Sequence, residues 1–204
     1  MVRDNLMMKI EERMKMSPKG TIFTNSDFYD ISNPDAVKMA LHRLYSSNKI
    51  YRLISGYYTI PYYSNVLHEY GYPSANAMAE KLAEKYAWNI CPSGDTALNQ
   101  IGLSTQVPSS YEFISDGPYR ELDYLGQNIK FKHTTNRLIS RFSKPLCLVI
   151  ESIKAMKEEN IRENEIMKLA VYCSRYVKED IVLDTKSVPA WIHKILKKIS
   201  EVTL

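Results

Sequence analysis

Between Ala36 and His68 the chain carries Lys38, Arg43, Lys49 and Arg52 and no aspartate or glutamate. Tyrosines run through the same stretch, as in "RLYSSNKIYRLISGYYTIP" over Arg43–Pro61. Cations without neighbouring carboxylates can neutralise phosphates and release counterions, which gives a salt-sensitive affinity for nucleic acid. Residues 1–63 hold nine Lys/Arg and six Asp/Glu, and five of those acids precede position 31. The positive potential therefore falls on a helix near 34–46 and the hairpin after it. The expected assignment puts Lys38, His42 and Arg43 against the major groove of a duplex, with Lys49, Arg52 and Tyr57 on phosphate or sugar. The plainer alternative is a helix and hairpin with an ordinary solvated side.

A second polar set lies in "PSGDTALNQIGLSTQVP", Pro92–Pro108. Ser93 or Asp95 can cap a short helix with Ala97, Leu98 and Ile101 on its apolar side, and Gly102 can supply the left-handed residue that ends it. Ser104, Thr105 and Gln106 follow as hydrogen-bonding groups. With Asn99, Asp116 and Arg120 they form a candidate recognition surface for a partner or nucleic acid. The alternative is a capped helix and loop whose polar groups serve folding.

Other chemistry finds no support. Walker, GxGxxG, GxSxG and HExxH patterns are absent. His42, His68, His133 and His193 lack metal-ligand spacing. "PSGDTALNQ" opens like a nucleotidyltransferase site, but the paired acids that should follow to hold Mg²⁺ are missing. "IVLDTKS", with Asp184 and Lys186, has the form of a nuclease half-site without an upstream strand to complete it. A non-enzymatic chain with no catalytic residue, cofactor or metal is expected. Cys91, Cys147 and Cys173 are odd in number and form no CxxC pair, so they read as reduced, packed thiols. The charged N-terminus and the lack of a long apolar run predict a soluble, cytoplasmic protein with no membrane partner.

These residues need a scaffold, and the patterning supplies one. Apolar Leu6, Met7, Ile10 and Met14 predict a helix over 4–16. Thr21–Phe23 is β-prone, and Ser26 is a plausible cap for a brief helix. Asn33-Pro34-Asp35 predicts a helix start, with Val37, Ala40, Leu41 and Leu44 inward. A two-residue Ser55-Gly56 turn would pair Ile54 with Tyr57, Leu53 with Tyr58, Arg52 with Thr59 and Tyr51 with Ile60. Tyr51, Leu53, Tyr58 and Ile60 would then be the buried face and Tyr57 would lie open. "PYYSNVLHEYGYPSA" reads as a connection. Beyond it come a helix over 75–86, an apolar "WNIC" strand, a helix within 95–101 and strands near 111–114, 120–124 and 128–132. Amphipathic helices near 145–157, 163–177 and 188–201 follow. The last carries Lys194, Lys197 and Lys198 opposite Ile192, Ile195, Leu196 and Ile199; a terminal helix docked on its domain is the favoured role over membrane or nucleic-acid binding. The fold class expected is α+β: a winged helix-turn-helix over 1–63, then a mixed α+β domain over 64–204 ending in three amphipathic helices.

"YRLISGYYTIP" and, above all, the "PSG…ALNQIGLSTQVP…SDGP.R" pattern resemble the AbiEi-type antitoxins of type IV toxin–antitoxin systems, over roughly residues 5–150. The matching positions are Pro92, Ser93, Gly94, Asn99, Gly102–Pro108, Asp116, Gly117 and Arg120. The resemblance implies a bacterial antitoxin whose winged helix represses its own operon by binding double-stranded promoter DNA. The functional counterpart it implies is a nucleotidyltransferase-like toxin, opposed without a stable complex, in abortive infection and phage defence. The alternative is a stand-alone regulator whose second domain binds a ligand or mediates assembly.

Overall fold

The computed structural model describes residues 2–65, 68–134 and 139–203. They form a mixed α+β protein of two compact units, Met1–Lys81 and Leu82–Leu204. The division falls inside a helix, whereas the order of elements in the sequence places it at 63/64. The added residues, 64–81, complete a second hairpin and carry the first turns of that helix.

In the first unit, α1 (Val2–Met16) buries Ile10 and Met14. A 3-10 turn follows at Asn25–Phe28. Its cap is Thr24 rather than Ser26, because the Asp27 carboxylate reaches back to accept from the Thr24 N–H at 2.6 Å and from its hydroxyl at 2.9 Å. α2 (Pro34–Ser46) starts where Asn33 Oδ1 accepts from the Ala36 N–H at 2.9 Å. Val37, Ala40, Leu41 and Leu44 join Ile10, Met14, Phe23 and Phe28 in one core.

β1 (Tyr51–Ile54) and β2 (Tyr57–Thr59) make the hairpin around Gly56, whose φ of +80° suits glycine. The register differs from the expected one. Ile54 pairs with Tyr57, but a bulge at Leu53 sets Arg52 against Tyr58 and Tyr51 against Thr59. β2 is also flanked on its other edge by Phe23, which exchanges two 2.8 Å backbone hydrogen bonds with Tyr58. Tyr57, Tyr58 and Thr59 are all buried, so β2 is covered on both faces and does not show the expected alternation. Tyr51, expected inside, is exposed and packs its ring 4.7 Å from that of Tyr72.

The stretch read as a connection contains a further hairpin, β3 (Tyr62–Ser64) with β4 (Glu69–Gly71). The Tyr62 ring lies flat on Gly71, where any Cβ would come within 2.6 Å of it. α3 (Ala75–Tyr86) then leads out of the unit.

The second unit carries a four-stranded sheet in the order β5-β6-β8-β7. Its strands are β5 (Ile90–Pro92), β6 (Ser110–Ser115), β7 (Arg120–Tyr124) and β8 (Gln127–His133). β6 and β8 run parallel and the other neighbours antiparallel. α4 (Gly94–Gln100) connects β5 to β6. α5 (Lys144–Met156), α6 (Glu163–Tyr176) and α7 (Ala190–Thr203) follow with the expected amphipathic spacing. Leu146, Val149, Ile153, Leu169, Ile192 and Ile199 are among the residues of their shared core. All three cysteines are free and buried. The Cys91 thiol is pushed well above its ordinary range by its hydrogen bond with Cys147 and by burial, and Cys173 is raised to about 11 by burial.

Trp88 leaves the expected strand and covers the β6–β7 turn, T-shaped on Phe131 at 5.7 Å and stacked on Tyr86 at 4.9 Å. A Cβ on Gly117 would fall 2.4 Å from the Trp88 indole. Gly117→Ala should therefore cost about 1–3 kcal/mol by overpacking. A thermal scan should show a midpoint lower by roughly 2–10 °C. An unchanged midpoint would mean the indole is free to move aside.

Candidate nucleic-acid interface

α2 buries one stripe, so its remaining side chains divide by rotation about the axis. At about 100° per residue, Lys38, His42 and Tyr45 occupy one flank. All three are exposed. Arg52 on β1 reaches back to Tyr45, with its guanidinium carbon 4.9 Å from the centre of that ring. Helix and hairpin are thus joined by a cation on an aromatic face. Tyr45 did not stand out among the tyrosines; its signal was its spacing, three residues after His42 and seven after Lys38.

Three of the six expected contacts are modified by the fold. Tyr57 is only 2% exposed, because both faces of β2 are covered and it has no open side. Arg43 is exposed but lies roughly 140° round the helix from Lys38. There it lines a notch of about 310 Å³ with Leu6, Met7, Asp35, Ala36 and Met39. Lys49 is exposed and ion-paired, its Nζ 2.8 Å from Glu11 Oε2. Glu11 also accepts from Lys15 at 2.6 Å. The acid that the 36–68 segment lacks is supplied across space by α1. Among the described residues, Lys38, Arg43 and Arg52 pair with no carboxylate.

The polar set of the second unit separates into two groups. Gly102, at φ +81°, ends α4 and lets the Leu103 and Ser104 N–H groups donate to Leu98 O at 2.8 and 3.0 Å. Asn99 Nδ2 then donates to Gln106 O at 2.9 Å, and Ser104 Oγ accepts from the Gln106 N–H at 3.2 Å. Asn99 and Ser104 hold the loop; Thr105 and Gln106 are exposed. Ser93 stands at the cap position of α4, but its hydroxyl makes no capping bond. Asp116 accepts from the backbone and side-chain nitrogens of Asn89, both at 2.8 Å. Arg120 lies 5.0 Å over the Tyr86 ring and lowers that phenol's pKa by hydrogen bonding.

His133 Nδ1 lies 2.9 Å from Gly117 O and His193 Nδ1 3.2 Å from Thr185 Oγ1. Asp184 and Lys186 sit in a run of turns, not on a strand. Among the described residues there is no group of three or more His, Cys, Asp or Glu arranged to share a metal. None of the described helices is long and apolar enough to cross a membrane.

Taken together, this is a two-unit α+β protein with a cationic, aromatic helix–hairpin strip on its first unit. The chain belongs to a family of unknown function, DUF6088, which it matches over residues 9–181, a span that includes parts of both units. No curated protein matches the sequence.

Two outcomes follow. Asn99→Ala removes the clamp on the loop, so amide exchange at 103–106 should quicken about fivefold, at a cost of about 1 kcal/mol; exchange measured by mass spectrometry checks it. The hydrogen bonds from Lys15 and then Lys49 hold the Glu11 carboxyl below its ordinary value of 4.5. Its contribution is therefore present above that value and is lost as pH falls through the lowered one. In Glu11→Gln this part of the acid-induced loss of stability should vanish, as read by urea midpoints at pH 3 to 6.

Proposed function

We propose that the chain is a DNA-binding autorepressor of the winged-helix class and the antitoxin of a type IV toxin–antitoxin pair. The observation that carries the DNA half is the strip of Lys38, His42, Tyr45 and Arg52, which presents cations and an aromatic face with no carboxylate bonded to them. The order α1, Phe23 bridge, 3-10 turn, α2 and β1–β2 hairpin accords with a winged helix in which α2 enters the major groove. In that arrangement Lys38 and His42 read the groove and Arg52, fixed by Tyr45, holds the backbone beside it. Arg43 stands at the margin, and Lys49 is partly spent on Glu11. The antitoxin half rests on the resemblance of the Pro92–Arg120 pattern. The second unit would oppose a nucleotidyltransferase-like toxin without a lasting complex, in the cytoplasm and with no catalysis of its own.

The test is fluorescence anisotropy with a labelled duplex from upstream of the chain's own reading frame, over 50–200 mM salt. Affinity should fall steeply with salt, and Lys38→Glu or Arg52→Glu should each weaken it by about tenfold and flatten the salt slope by roughly one. Glu11→Gln should tighten it by freeing Lys49. Tyr57→Phe should leave it unchanged. Salt-independent binding, or indifference to both charge reversals, would end the reading. For the antitoxin half, co-expression with a toxin encoded beside it should rescue growth, and absence of rescue would remove that half alone.

A further inference from the structure

α6 has more apolar surface than the core takes up. Leu169, Ala170 and Cys173 point inward. On the other side Met167 is 55%, Val171 50% and Tyr176 55% exposed. Successive rotations of about 100° put Val171, Arg175 and Lys168 along the middle of the open face, with Met167 on one margin and Tyr172 and Tyr176 on the other. The two tyrosine rings lie 4.8 Å apart and tilted. Together with Asn99–Gly102 at the end of α4, this face forms an open groove of about 610 Å³.

The groove has a charge sign. Lys168 and Arg175 are exposed and paired with no carboxylate among the described residues, and none of its lining residues is acidic. Seven residues separate them, two turns on one stripe, or about 10.5 Å along the axis. A groove that runs along a helix for some three turns, with Val171 between two cations two turns apart and Met167 and the tyrosines on its margins, matches another helix laid beside it. Such a helix would have apolar residues at i, i+3 and i+4 against Met167, Val171 and the tyrosines, and carboxylates seven residues apart to meet Lys168 and Arg175. Methionine adapts its shape to such neighbours.

We infer that the α4–α6 groove is a docking site for an acidic amphipathic helix of a partner protein. The inference rests on the second unit alone and not on DNA binding by the first. The probe is a fluorescein-labelled helical peptide of about 18 residues, with leucines along one stripe and glutamates seven apart beside it. The full chain should bind it, and the Lys168→Glu/Arg175→Glu variant should bind at least about tenfold more weakly. A peptide with lysines in place of the glutamates should show the opposite preference, favouring the charge-reversed variant. Val171→Glu should abolish binding of the acidic peptide, with the thermal midpoint confirming that the exposed substitution leaves the fold intact. Equal binding of the acidic and basic peptides, or no effect of the reversal, would overturn the inference. So would displacement of the peptide by a single-stranded oligonucleotide, which would give the groove to nucleic acid instead.

Discussion

The first unit depends on β2 being a central strand although it is only three residues long. Phe23 holds one edge through two short backbone hydrogen bonds and β1 holds the other. Thr59 donates its hydroxyl to Thr21 O at 2.9 Å, which ties the strand to the segment that follows α1. With β2 fixed in this way, Tyr58 packs into the helical core, and Tyr57, on the opposite face of the strand, is buried as well. β1 becomes the outer strand, and its bulge at Leu53 keeps Leu53 buried while leaving Arg52 outside. That geometry puts the Arg52 guanidinium over Tyr45 on α2. An edge-strand cation thus gains a fixed position from a strand that carries no charge.

Charge shows why distance along the chain is a poor guide to distance in space. Lys49 lies in a stretch free of acids, yet Glu11, thirty-eight residues earlier, takes it as a partner. An exposed pair of this kind is worth little to stability, since water screens it and side-chain entropy opposes it. It does neutralise Lys49, and it leaves Lys38 and Arg52 without a carboxylate partner. The strip that survives is narrower than the sequence suggests and more tightly joined, with an aromatic residue at its centre.

Much of the scaffold was legible because its signals are local. Asn33-Pro34-Asp35 is a complete helix start, Gly102 sits where α4 must stop, and the alternating runs near 111, 120 and 128 became strands within a residue or two. What was not legible is what depends on a third element. The bulge at Leu53, the burial of Tyr57 and the arrival of Phe23 on the far edge of β2 are set by packing in space and leave no local signal. The Thr24 cap depends on which way Asp27 turns, and the β3–β4 hairpin depends on Tyr62 having a glycine to lie on. In the second unit the polar pattern was visible but its use was not. Asp116 is spent on Asn89, Arg120 on Tyr86 and Asn99 on its own loop. A run of polar residues looks the same in sequence whether it faces a partner or braces a turn.

The contrast between the last two helices bears on where the second unit can meet anything. α7 has the stronger segregation of lysine from isoleucine, and its sequence favours a helix docked on its own domain. In the structure Ile192, Ile195, Leu196 and Ile199 are all buried, so its apolar side is already used and Lys194, Lys197 and Lys198 are left in water. Solvated lysines on a docked helix cost nothing and require no partner. α6 is different, because it divides its apolar residues between two sides. One side joins the core and the other keeps Met167, Val171 and Tyr176 in contact with solvent, where each buried square ångström would contribute about 25 cal/mol. The helix with the weaker sequence signal therefore has the stronger physical reason to be covered.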